Sequence, residues 1–136
     1  MKKQLAVIIE DNKILSQMFA RALGDIHYQT MVIDDGRQAL NWLQSGVPHL
    51  LLLDLHLPYI SGSEILDQLL ADARFENTFI VLVTADARMG SALAEKADFL
   101  LNKPVDLEQL QQLATRLKSV ERKNGSQAIT PRGSVI

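Results

Sequence analysis

The stretch 50-LLLLDLHLPYISG-62 decides how this chain folds. Leu50 to Leu53 form an apolar run with no polar side, the pattern of a strand buried on both faces. Asp54 ends the run at once, and Pro58 and Gly62 follow within eight residues. The strand does not need a carboxylate there, and a turn could equally use Asn, Ser or Gly. The meaning of Asp54 therefore depends on what stands at the ends of the other apolar runs.

Four more runs share the pattern of Leu50–Leu53: Leu5–Ile9, Thr30–Ile33, Phe79–Val83 and Phe99–Leu101. Segments with helical spacing lie between them. The first carries Ile14, Leu15, Met18, Phe19, Ala22 and Leu23, with Gly24 as its expected stop. Asp35 is placed to cap a second helix over Gly36–Gln44. Ser61 and Glu64 form a capping-box pattern ahead of Ile65, Leu66, Leu69 and Leu70. Asp106 precedes the last helix, with Leu107, Leu110, Leu113, Leu117 and Val120 on its apolar side. The stretch Arg88–Lys96 is weaker, being short and interrupted by Gly90. Strands alternating with helices imply parallel pairing through right-handed crossovers, hence an α/β fold with a doubly wound parallel sheet of five strands.

The 136 residues suit one domain. Residues 1–122 are expected to form it, and 123–136, NGSQAITPRGSVI from Asn124 onward, read as a flexible tail or truncated linker without periodicity. A net charge of −2 gives no reason to expect general binding to nucleic acid or to an anionic membrane. The absence of cysteine excludes disulfides, thiolate metal sites and cysteine nucleophiles. The apolar run after the basic start is too short for a secretory signal, and none approaches a membrane span. A cytoplasmic location is the expectation.

The polar residues at the run ends form a set. Glu10 and Asp11 follow the first run, Asp54 the third, Thr84 the fourth, and Lys103 lies two residues past the fifth. In a doubly wound sheet all five fall at the carboxyl edge, where ligands bind at the reversal of strand order. Three converging carboxylates repel one another, and a hard divalent cation relieves the repulsion. Oxygen ligands with room for water and phosphate suit Mg²⁺ better than Zn²⁺. Lys103 adds a point charge able to pair with Asp54 or a phosphate oxygen, and Thr84 adds a hydroxyl. Aspartate is a competent nucleophile for phosphoryl transfer, which demands mainly positioning and charge neutralisation. The residues point to an Mg²⁺-dependent phosphoacceptor at Asp54.

This set resembles the receiver domain of two-component response regulators, over about residues 3–121. The resemblance rests on Glu10-Asp11, on Asp54-Leu55-His56-Leu57-Pro58 with Gly62, on Thr84-Ala85 and on Lys103-Pro104, in that order. It implies the flavodoxin-like (βα)5 fold with strand order 2-1-3-4-5. It also implies phosphoryl transfer to Asp54 from a sensor histidine kinase or phosphotransfer protein, and a cis-type kink at Lys103–Pro104. Asp11, Glu10 and Asp54 would hold Mg²⁺ with the backbone carbonyl of His56. Thr84 would close onto the phosphoryl group and Lys103 would contact it. Such a domain signals rather than turns over substrate, with at most self-phosphorylation and self-dephosphorylation at Asp54. Its output goes to a partner protein or domain, and a homodimer is conceivable.

Two departures stand out. The family usually places an aromatic residue three before the lysine; here that residue is Leu100, and Phe99 is one place earlier, on the opposite face of a strand. Lys103 follows Thr84 by only 19 positions, which implies a shortened fourth helix. These departures favour an alternative reading, a pseudo-receiver that binds a protein without phosphate control. A haloacid dehalogenase-type phosphatase would need a second aspartate where His56 stands, and a flavodoxin would need a neutral phosphate loop in place of Glu10-Asp11-Asn12-Lys13. Blander roles remain for single residues: Asp11 as cap of the first helix, Asp34-Asp35 as turn and cap, Asp86 as a solvated loop residue and Trp42 as packing. None of His27, His49 and His56 reads as a ligand through its ring.

Overall fold

The computed structural model describes residues 3–120. Five parallel strands, β1 (Leu5–Ile9), β2 (Gln29–Ile33), β3 (Leu50–Asp54), β4 (Phe79–Thr84) and β5 (Phe99–Asn102), pair in the order β2-β1-β3-β4-β5. The helices are α1 (Lys13–Asp25), α2 (Gly36–Leu43), α3 (Gly62–Leu70), α4 (Ala87–Leu93) and α5 (Leu107–Leu117). Among these five, α4 is shortest at 7 residues and continues only as a 3₁₀ turn over Ala94–Lys96. The expected doubly wound, flavodoxin-like order is present, as is the cis Lys103–Pro104 bond.

Strand alternation explains why the apolar runs are continuous. Leu50 and Leu52 face one core with Ala6, Ile8, Val81 and the α1 and α5 residues Phe19, Leu23, Leu110 and Leu117. Leu51 and Leu53 face the other, with Val7, Ile9, Leu82 and Ile65 and Leu66 of α3. All four leucines are buried. A full burial of this kind contributes about 2 kcal/mol per side chain. Phe99 lies in the first core and Leu100 in the second, so the one-residue offset does put them on opposite faces.

Side-chain caps start the helices. Asp35 accepts from Gln38 N–H, Ser61 from Glu64 N–H and Asp106 from Glu108 and Gln109 N–H. Two expectations need correction, and one element was not foreseen. Gly24 does not stop α1, which runs to Asp25; His27 takes the left-handed turn at φ 73° and its N–H bonds back to Gly24 O. The last helix ends at Leu117, so Val120 lies beyond it. A 3₁₀ turn over Ala73–Phe75 carries Arg74, whose guanidinium donates to the carbonyls of Leu43 and Gln44 at the end of α2. The expected tail, 123–136, lies outside the described residues.

Candidate functional site

Register brings the site together. Ile9 pairs with Leu53 and Asp54 with Val83, so Glu10 and Asp54 stand side by side where β1 and β3 end. Thr84 pairs with Asn102, and Lys103 N–H donates to Thr84 O at 2.8 Å. Carboxylate oxygens of Glu10, Asp11 and Asp54 all lie within 4.8 Å of one another. Glu10 and Asp54 are buried and Asp11 is exposed. Asn12, not Asp11, caps α1 by accepting from Leu15 N–H, so the capping role for Asp11 falls away.

Lys103 is the cation among these groups. Its Nζ lies 2.9 Å from Glu10 Oε1 and 3.2 Å from Asp54 Oδ2. The pairing with Asp54 was expected; that with Glu10 was not, since the spacing from β1 to β5 carries no sign of it. Burial pushes the Glu10 carboxyl above the usual carboxylate range, against the Lys103 ammonium and the Asn12 N–H, which pull it down. Burial alone would lower the Lys103 pKa, but Glu10 and Asp54 outweigh it and hold the ammonium above its ordinary value. One ammonium facing three carboxylates leaves the cluster negative, and three oxygen donors around a gap of this size suit a hard cation such as Mg²⁺.

The loop after β3 is shaped by close approach. His56 N–H donates to Asp54 Oδ1 at 3.1 Å, fixing the His56 peptide beside the carboxylate. Gly62 N–H bonds to Leu55 O, and a Cβ on Gly62 would stand 2.2 Å from Asp54 O. A Cβ on Gly36 would meet Ile60 O at the same distance, so these two glycines let α2 and α3 begin against the loop. Tyr59 takes φ 71° in this loop and carries the Arg37 guanidinium 3.6 Å from its ring centroid.

Thr84 is fully buried, and its Oγ1 accepts from Asp86 N–H at 3.0 Å. Asp86 is more than a solvated loop residue: it caps α4 by accepting from Met89 N–H, which holds its carboxyl below the usual range. The His56 ring lies 3.5 Å from Asp86, out in solvent rather than in the carboxylate cluster. Trp42 packs partly buried on the core at the end of α2 away from the site.

A doubly wound sheet with acidic residues, a threonine and a lysine at its carboxyl edge defines a class of phosphate-handling signalling domains. The sequence profile of the response regulator receiver domain matches residues 6–115, and the chain belongs to that family. It is a phosphoacceptor receiver domain of two-component signal transduction. The polar-differentiation response regulator DivK of Brucella ovis is 31% identical over 84 residues, covering 62% of this chain and 68% of that protein. Hybrid signal transduction histidine kinase D of Dictyostelium discoideum is 27% identical over 123 residues; the chain spans 8% of that protein's length. The structure of a CheY-like response regulator receiver domain from Methylobacillus flagellatus superposes with a TM-score of 0.76 at 26% identity, covering 85% of this chain and 99% of that one. No described helix is long and apolar enough to cross a membrane.

Proposed function

We propose that Asp54 is the phosphoacceptor, with Mg²⁺ held by Glu10, Asp11, Asp54 and the His56 carbonyl. The observation that carries this reading is the negative cluster itself: three carboxylates within 4.8 Å against one lysine. The cation supplies charge neutralisation for the incoming phosphoryl group. An Asp54 oxygen attacks phosphorus, an O–P bond forms as the donor's N–P bond breaks, and the electron pair stays on the donor's imidazole nitrogen. Lys103 holds a phosphoryl oxygen, and Thr84 donates its hydroxyl to another. The donor is a sensor histidine kinase or phosphotransfer protein, and the product switches a surface read by an output protein or domain. Residues 1–122 form this domain, working in the cytoplasm, with 123–136 as tail or linker.

Incubation with acetyl phosphate, read by intact mass, tests the site. A single adduct that requires both Mg²⁺ and Asp54, and is absent in Asp54→Asn, supports it. No adduct on folded protein with Mg²⁺ sinks it. One observation favours the pseudo-receiver reading instead. Leu100 stands where the family's aromatic is usual, so a partner bound equally by wild type and Asp54→Asn would support a module free of phosphate control.

A further inference from the structure

The loop after β3 turns sharply at Tyr59. Ile60 N–H donates to Pro58 O at 2.8 Å across that residue, which sits at φ 71°. A hydrogen bond closed over one left-handed residue is the γ-turn of the rarer, strained hand. Such backbone favours glycine, so a tyrosine persists there only where its surroundings hold it. The core does not, because Tyr59 is 71% exposed. The start of α2 does. Gly36 N–H donates at 3.2 Å to Pro58 O, the same carbonyl that Ile60 N–H reaches. Beside it, the exposed Arg37 lays its guanidinium 3.6 Å from the Tyr59 ring centroid. Only three residues before the turn, His56 N–H is bonded to Asp54 Oδ1.

We propose that Arg37 is a positioning residue for the Asp54 site: stacked on Tyr59, it holds the strained turn that sets the place of the His56 carbonyl. The inference rests on the reading of that carbonyl as a metal ligand beside Glu10, Asp11 and Asp54. The carboxylates stand where β1 and β3 end, so their places follow from strand register. The carbonyl belongs to the loop, and it shifts if the turn at Tyr59 relaxes. Charge and stacking predict effects of opposite sign. A bare positive charge near the cluster repels a divalent cation, so its removal tightens binding. Removal of a brace loosens the turn and weakens binding. An exposed cation–π contact corresponds to about two- to five-fold in an equilibrium constant.

Mg²⁺ titration of the ¹⁵N-labelled chain, beside amide exchange of the metal-free protein, tests this. Arg37→Ala and Arg37→Lys should each weaken Mg²⁺ binding and raise Ile60 amide exchange by about two- to five-fold. Lysine keeps the charge but lacks the planar face that stacks. Tyr59→Phe keeps the ring and should match wild type. The metal-free melting temperature should hold in all three variants. Unchanged affinity and Ile60 exchange in Arg37→Ala overturn the brace and leave the metal reading standing. Tighter binding in Arg37→Ala with wild-type binding in Arg37→Lys also overturns it, since Arg37 then acts through charge alone. A melting temperature that falls in step with affinity makes Arg37 a residue of general stability and overturns the brace as well. A wild-type chain that binds no Mg²⁺ overturns the metal reading, and the brace with it.

Discussion

The two edges of the sheet both hold polar side chains near the core, and they treat them in opposite ways. At the amino edge each has a neutral backbone partner. Tyr28 OH donates to Ala114 O at 2.7 Å, Thr78 Oγ1 to Pro48 O at 2.7 Å, Gln4 to Lys118 O and Lys118 Nζ to Ile26 O. The His49 ring bonds to Leu117 O and lies between the Tyr28 and Phe79 rings. At the carboxyl edge like charges are held together, and the one ammonium does not balance them. The first arrangement serves stability. The second costs stability through like-charge repulsion, so neutralising the polar side chains at the two edges should move stability in opposite directions.

The largest expected effect tests a close approach rather than a charge. Gly62→Ala drives a Cβ into Asp54 O and should cost about 3 kcal/mol in chemical denaturation, since backbone must shift to admit it. A variant as stable as wild type would mean that the loop yields and does not fix the site. Next comes the amino edge. His49→Ala removes a ring contact on either side and a hydrogen bond, and should cost about 2 kcal/mol while phosphoryl uptake per folded molecule stays at the wild-type level. Loss of uptake would break the comparison by tying the amino edge to the chemistry.

Glu10→Gln tests the other sign. A carboxyl whose pKa is raised by burial favours the fold when protonated, and that contribution is lost as pH rises through its folded value. A neutral isostere should therefore stabilise the metal-free protein by about 1 kcal/mol at pH 7 and weaken Mg²⁺ binding, measured by melting with and without the cation. A destabilised metal-free variant would show that the Lys103 pair outweighs the burial of Glu10. His49 gives the opposite pH dependence. Burial lowers its pKa from 6.5, so its contribution is present above that value and is lost as pH falls below it. Stability should decline below pH 6.5 in wild type and less so in His49→Gln, an effect below about 1 kcal/mol near pH 6. The smallest expected change is optical: Mg²⁺ should scarcely quench Trp42, since α2 carries it toward the amino edge, and a strong quench would contradict that placement.

Much of this was legible in the order of residues. The leucine run Leu50–Leu53 and its counterparts in β1, β4 and β5 read as strands covered on both faces because no side of them is polar, and they are. Thr30–Ile33 reads the same way, but β2 is an edge strand and leaves Val32 exposed. Alternation with capped helices then required a doubly wound sheet, and the carboxyl ends of its strands named Glu10, Asp11, Asp54, Thr84 and Lys103 as neighbours. The shift between Phe99 and Leu100 predicted their opposite faces for the same reason, since strand geometry has a period of two.

Other features depended on packing that no local pattern encodes. The contact of Lys103 with Glu10 joins the two chain-distant strands β1 and β5, and only their common edge brings it about. Gly24 carries the signature of a helix stop, yet α1 runs one residue past it and the left-handed turn falls at His27. Asp86 reads as a loop acid until α4 begins beside it, and Gly90 reads as a weak point in a helix until Thr84 and Leu100 are seen beneath it. Periodicity, caps and strand ends act between residues a few positions apart, so the sequence by itself determines them. Which strand end meets which, and how closely a helix may lie on the sheet, follow from distances between remote segments, and only the tertiary structure decides those.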